Sequence, residues 1–324
     1  MAIINYFSSW GATIKQKIII DTDPGIDDTM AIFLSLNSPE LDLLGLTTVY
    51  GNTSTDQGTI NALRILEISS RQDIPVFGGA DKPLKTQYTG KGQFVHGHDG
   101  QGNTNLDPPS TKAESGSAVD FLEKIIKENP GEIILVPIGP LTNIAELIRN
   151  NSDKLSKIKH CYIMGGSSNA LGNVTKFAEY NFWVDPEAAD IVLNSGIPIT
   201  VIGWDPSLYD AMIDSDKIKE IDSIGTKYST FTNDIQVVLR EMMKDIFGTD
   251  SYDLPDPLAM AVYLDNDIIS ESVEVNVRVD TRDGMTRGGC VLDFLNLEPE
   301  APKVRVVQRC HGDKFYSLLK QSLT

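Results

Sequence analysis

Along the first two-thirds of the chain, short unbroken apolar runs alternate with segments whose apolar residues recur every three or four positions. Lys17–Asp21 reads KIIID and Glu132–Pro137 reads EIILVP, the pattern of parallel strands buried on both faces. Leu41–Tyr50, Ile74–Phe77, Ile158–Met164 and Pro198–Ile202 continue the strand series. Between the strands, Asp27–Leu36, Thr59–Ser69, Ala118–Lys127, Leu141–Arg149 and Pro186–Asn194 carry helical spacing. Such alternation implies right-handed crossovers. The pattern predicts an α/β chain with an open, mostly parallel, Rossmann-like central sheet flanked by helices.

After residue 205 the pattern changes. Residues 214–247 read as helices with a polar face, and 256–264 as another short helix. Ser272–Val279, Gly289–Phe294 and Val304–Val307 have period two, which predicts antiparallel strands near the C-terminus at one margin of the sheet. Phe315–Leu323 reads as a closing helix. There is no internal repeat, low-complexity tract or Gly/Ser linker, so residues 17–324 read as a single domain and 1–16 as an N-terminal extension. That extension lacks the basic, apolar and small-residue succession of a signal peptide. Two long irregular segments interrupt the pattern: 79–115, with His96 and His98, and 165–184, with Asn173, Glu179 and Asn181. Long loops in a compact domain often carry function, and 79–115 is a candidate lid.

Charge and cysteine usage narrow the picture. A net charge of −17 repels phosphate backbones, which argues against a nucleic-acid partner. No apolar stretch reaches the ~18 residues of a membrane span. The three cysteines (Cys161, Cys290, Cys310) show no paired spacing, which points to a reducing, cytoplasmic setting and away from a disulfide framework or a zinc site.

Several of the acids fall together. Asp21-Thr22-Asp23-Pro24-Gly25-Ile26-Asp27-Asp28 places four carboxylates in eight residues directly after a buried strand, where open α/β sheets bind ligands. Pro24-Gly25 forces a turn, so acids on both sides of it can face one centre. Like charges so close raise one another's pKa, and a divalent cation with a preference for hard oxygen ligands relieves them. The simpler reading of Asp27 and Asp28 is attraction to the N-terminus of the next helix. Asp256, in Leu254-Pro255-Asp256-Pro257, is a helix N-cap or a distant further ligand.

With these residues in view the chain resembles the inosine–uridine-preferring nucleoside hydrolase family. DTDPGIDD at 21–28 matches its N-terminal signature, and the likeness continues through TTVYGN at 47–52, NALRILEI at 61–68, PVFGGADKPL at 75–84, VPIGPLTN at 136–143, IMGG at 163–166 and NVTKFAEYNFWVDPEAA at 173–189. The resemblance covers nearly the whole chain from about residue 17. It implies the nucleoside hydrolase fold, and hydrolysis of the N-glycosidic bond of ribonucleosides to free base and ribose by a Ca2+-bound water that Asp23 activates. Asp23 matches the general base and a Ca2+ ligand, Asp28 a bidentate ligand, Ile138 a backbone-carbonyl ligand and Asp256 the distal carboxylate. Asn52, Asn173, Glu179 and Asn181 match residues that hold the ribose hydroxyls, and Asp27 a further acid on the sugar. His96 falls where the family has a His near the base, and Asp21 matches an acid behind the ligands. The family also implies a homodimer or homotetramer.

These roles fit the chemistry. A metal-bound water has a lowered pKa, so a carboxylate can take its proton near neutrality. Departure of the base passes through an oxocarbenium-like state that nearby carboxylates stabilise. Asn and Glu offer sugar hydroxyls donors and acceptors in fixed directions. One position departs from the family: Pro255 stands where many members have the His that protonates the leaving base. His98 and Tyr252 are the candidates for that proton. Trp183 and Trp204 could stack a purine, although each reads better as packing. His160 and His311 read as structural, and with no P-loop, nucleosides fit better than nucleotides. Two rival readings remain. Asp21-x-Asp23 also resembles the start of haloacid-dehalogenase-like phosphatases, but Gly25 stands where those need Thr or Val. The alternative that Pro255 keeps open is a nucleoside-binding protein that has lost hydrolysis.

Overall fold

The computed structural model describes residues 15–85, 92–150, 157–169 and 171–324. The expected extension therefore lies almost wholly outside the described residues, as does part of the candidate lid. The strands are β1 (Gln16–Thr22), β2 (Leu41–Thr48), β3 (Val76–Gly78), β4 (Ile133–Pro137), β5 (Ile158–Met164), β6 (Ile199–Ile202), β7 (Ile269–Val275), β8 (Val277–Val279), β9 (Cys290–Leu292) and β10 (Val304–Cys310). Eight of them form one sheet in the order β3-β2-β1-β4-β5-β6-β10-β7, and β8 pairs with β9 apart from it. Neighbours in the large sheet are parallel except β10 and β7.

β1 shows why the apolar runs fold this way. Side chains alternate between the faces of a strand. Ile18 and Ile20 join one core with the helices Ile26–Leu36, Pro255–Leu264 and Gly312–Ser322, while Ile19 joins the other with the helices Ala118–Glu128, Thr142–Asn150 and Pro186–Leu193. A strand covered on both sides has no polar face to show, so its sequence is unbroken Ile. The helix Pro255–Leu264 is apolar all round for the same reason: Leu258 to Val262 are each 0% exposed, enclosed between the sheet and two other helices.

The expected α/β architecture holds, and the margins differ in detail. SVEVNVRV is two strands rather than one, because buried Asn276 turns the chain between sheets. Its Nδ2 donates to Pro302 O at 2.8 Å and to Asn194 Oδ1 at 3.1 Å. β10 is antiparallel only to β7 and runs parallel to β6 on its inner side. The helices Gln93–His96, Tyr180–Val184 and Trp204–Asp210 have no counterpart in the sequence reading, being too short to display a 3.6-residue period. The helix expected from Thr59 begins at Thr55, where Ser54 Oγ accepts from Gln57 N.

The strand order fixes where a ligand can sit. From β1 the chain moves outward to β2 and β3, then returns to β4 on the other side of β1. The crevice at the carboxyl ends of β1 and β4 is the topological switch point of this sheet. Away from that crevice, Asp185 ties three segments together. It accepts from Thr142 Oγ1 at 2.7 Å, Leu84 N at 2.9 Å and Ala188 N at 3.1 Å. Asp185→Ala strands these buried donors and is expected to cost about 3 kcal/mol or more of unfolding free energy. Denaturant unfolding checks this, and an unchanged midpoint would count against it.

Candidate active site

The segment after β1 winds into a nest of backbone and side-chain donors around Asp28. Its Oδ1 accepts from Thr22 Oγ1 at 2.5 Å and Asp23 N at 3.2 Å, and its Oδ2 from Gly25 N at 2.9 Å and Asn52 Nδ2 at 3.1 Å. Asp28 is thus also the returning half of a capping arrangement for the helix Ile26–Leu36. Asp23 Oδ2 accepts from Asn52 N at 2.7 Å, while its Oδ1 is buried without a hydrogen-bond partner. Asp21 lies behind them, held through Oδ1 by Thr47 Oγ1 at 2.5 Å and Asn143 Nδ2 at 2.8 Å. Asn143, from the VPIGPLTN stretch, was not singled out in the sequence. It also donates to Thr48 O at 3.0 Å and accepts from Ala80 N at 2.9 Å, so it pins three segments around Asp21.

Glycines let the chain pass this close. A Cβ on Gly51 would stand 1.9 Å from Asp23 Oδ2, and one on Gly139 2.5 Å from Asp23 Oδ1. A Cβ on Gly25 would stand 2.5 Å from His96 Nδ1. The glycines of DTDPGIDD, TTVYGN and VPIGPLTN are therefore the space that the carboxylates and His96 fill.

Asp256 arrives from far along the chain and is 3% exposed. The helix that carries it starts at Pro255, so Asp256 sits in the first turn and caps nothing. Asp27, Asp28 and Asp256 each offer an oxygen within 4.8 Å of the other two. This tight triad includes Asp27 where the sequence reading had placed Asp23. Asp23 is close enough for its charge to raise Asp256. Burial, then the charges of Asp27, Asp28 and Asp23, push the Asp256 carboxyl well above the usual range. Burial is the first cause for the others too: Asp27 and Asp28 rise to about 6, Asp21 and Glu179 to about 7, and Asp23 rises strongly. Hard oxygen donors, crowded charges and partnerless carboxylate oxygens on Asp23 and Asp27 fit a divalent cation of the Ca2+ or Mg2+ type.

The nest borders a cavity of about 650 Å³, ample for a small polar ligand. Asp27, Asn52, His96, Ile138, Asn173, Glu179, Asn181 and Asp256 all line it. Asn181 Nδ2 donates to Ile138 O at 2.9 Å, which leaves that carbonyl its second lone pair. Glu179 has a structural task that the sequence did not reveal. It caps the helix Tyr180–Val184, accepting from Gly166 N at 2.7 Å, Asn181 N at 2.8 Å and Phe182 N at 3.3 Å. His96 Nδ1 accepts from Ile26 N at 3.2 Å, and burial lowers its pKa to about 4, so the ring is neutral with its proton on Nε2.

Neither candidate for the leaving-group proton lines the cavity. His98 is exposed, and Tyr252 is buried in the core. Trp183 packs beside Val49 and Tyr50, as expected, whereas Trp204 lines the cavity. Asp253 and Gln236 also line it, and neither belongs to any motif that sequence reasoning could use.

An acid nest at a switch point, opening on a cavity with Asn and Glu in its lining, is the arrangement of an enzyme site. The family model for inosine–uridine preferring nucleoside hydrolases matches residues 18–317, and the chain belongs to that family. It is 41% identical to uridine nucleosidase 1 of Arabidopsis thaliana over 278 residues, 86% of this chain and 82% of the relative. Among solved structures, a plant nucleoside hydrolase (PpNRh1) superposes with a TM-score of 0.90 at 35% identity, over 95% of this chain and 99% of that one. A purine-preferring ribonucleoside hydrolase from Gardnerella vaginalis gives 0.88 at 31% identity, over 95% and 98%. The chain is a ribonucleoside hydrolase.

The raised carboxyls make stability depend on pH. An acid near 4 in the unfolded chain and near 6 to 7 in the folded one favours folding while the fold holds the proton. That contribution is complete below about pH 4 and is lost as pH rises through about 7. The half-buried Asp250, lowered to about 2 by Arg240, titrates below this window, while His96, lowered to about 4 by burial, opposes the trend between about pH 4 and 6.5 as one group against four raised carboxyls. In EDTA, the thermal midpoint is expected to fall by several degrees from pH 4.5 to 7.5, and Ca2+ to reverse the fall. A midpoint flat in EDTA, or one that rises, would contradict the assignment.

Proposed function

We propose that hydrolysis here runs with Asp23 as general base and with Ca2+ held by Asp23, Asp28, Asp256 and the Ile138 carbonyl. The observation that carries this is the Asp23 carboxylate: one oxygen is fixed by Asn52 N–H, and the other is buried and partnerless in the acid nest. Bound among these acids, Ca2+ supplies a positive charge that lowers the pKa of a nearby water. The free Asp23 oxygen takes that water's proton as the water attacks the anomeric carbon. Asp27, Asn52, Asn173, Glu179 and Asn181 hold the ribose. Glu179 is fixed through backbone N–H groups and keeps lone pairs for a hydroxyl. As the base departs, the surrounding carboxylates stabilise the positive charge on the sugar. His96, neutral and anchored through Nδ1, turns its Nε2–H donor to the ligand.

Ordinary cellular context follows the same reading. The free cysteines support a cytoplasmic enzyme, and the large sheet supports one domain over 17–324. Phe294, Leu295 and Leu297 lie exposed beside the β8–β9 pair and support a homodimer or homotetramer. Sedimentation at the mass of one chain would remove that last element.

Ribose release from inosine, uridine and cytidine tests the mechanism. EDTA is expected to abolish release and Ca2+ to restore it. Asp23→Ala is expected to lower kcat by about a hundred- to ten-thousand-fold with the fold intact. Full activity of that variant, or of the EDTA-treated protein, would sink the assignment.

A further inference from the structure

The cavity lining is of two kinds. The acid nest and the Asn residues are polar, while Leu239, Met242, Met243 and Phe247 are apolar. Two further polar side chains of the lining, Gln236 and Asp253, offer acceptor oxygens. Gln236 is fully buried, and its Oε1 has no hydrogen-bond partner. Pro255 has no N–H to offer. Asp253 lines the same cavity three residues before Asp256, and its Oδ2 accepts the Trp204 Nε1–H at 2.6 Å. That bond spends the Trp204 donor and fixes the carboxylate plane, leaving the other Asp253 oxygen as an acceptor.

We propose that Asp253 reads the nucleobase, accepting the lactam N–H that uracil, hypoxanthine and guanine carry beside a carbonyl. This rests on the reading that the acid nest holds the ribose, which leaves the base to the rest of the cavity lining, Asp253 included. A carboxylate offers acceptors only. It rewards an edge with a ring N–H and opposes one whose ring nitrogen carries a lone pair, as in cytosine and adenine. Trp204 is the positioning residue, since its N–H decides which Asp253 oxygen faces the base.

The same bond makes the test sharp. In Asp253→Asn the Trp204 N–H still needs an acceptor, so the amide oxygen turns to Trp204 and the NH2 replaces the free oxygen toward the base. An acceptor becomes a donor at unchanged volume. The kcat/KM ratios of uridine over cytidine and of inosine over adenosine are expected to fall by about 10- to 100-fold, mainly through KM. Wild type is expected to lose a similar factor on 3-methyluridine relative to uridine, and the Asn variant to lose much less. Unchanged ratios in a folded Asp253→Asn protein, or no penalty for 3-methyluridine in wild type, would overturn the proposal. If that variant does not fold by circular dichroism, Trp204→Phe is the second probe. It frees the carboxylate to turn and is expected to shrink the methylation penalty in part; an unchanged penalty overturns the proposal equally. Ribose release that survives Asp23→Ala would instead sink the placement of the sugar, a distinguishable failure.

Discussion

Asp21, Asp23, Asp27, Asp28 and Asp256 crowd the carboxyl ends of β1 and β4 with more acceptor oxygens than the surroundings have donors. Burying one carboxylate is costly, and burying several together without protons or a cation is not sustainable. The rest of the site is arranged around that constraint. Backbone N–H groups of Asp23, Gly25 and Asn52 point inward, Thr22 and Thr47 give their hydroxyls, and Asn143 braces the acid behind. Three glycines remove the Cβ atoms that would occupy the same space. What these donors leave unsatisfied is the part that a cation and a substrate complete.

Much of this machinery also holds the fold. Asp28 closes the first turn of its helix, Glu179 caps the next short helix, and Asn181 bridges backbone carbonyls of Ile138 and Met164. Residues of this kind are held in place by the bonds that make them structural, which fixes the orientation of the groups they present to the cavity. It also means that their removal affects fold and activity together. Asp23 is different: half of its carboxylate is committed to the protein and half is not.

Pro255 gives the chain its particular character. The resemblance leads one to expect a His before Asp256, where the chain has Pro255; the His that lines the cavity, His96, is kept neutral by burial and its Nδ1 accepts from Ile26 N–H. Beyond the acid nest the cavity lining is largely apolar, with Asp253 and Gln236 among its polar side chains. A relative named uridine nucleosidase and a solved purine-preferring hydrolase both resemble this chain, so the shared architecture does not by itself set the preferred base.

The sequence by itself determined the layered fold and the acid cluster. Short runs of Ile and Val favour strands covered on both faces, and carboxylates around Pro24-Gly25 follow directly from adjacency in the chain. It also carried the family likeness, because that lies in contiguous motifs. Only the tertiary structure decided what depends on residues meeting from afar. Asp256 was either a cap or a distant ligand by sequence, and the fold set it against Asp27 and Asp28 with no cap to make. Glu179 had no visible structural task until Gly166 N–H met it. Asp253 stood in no motif and was not singled out, whereas Tyr252, beside it and a candidate for the leaving-group proton, is buried in the core and does not line the cavity. The split of SVEVNVRV and the parallel partner of β10 were likewise invisible, because period two reports which face is buried and not which strand lies alongside. Local pattern encodes burial, whereas partnership is a property of the closed fold.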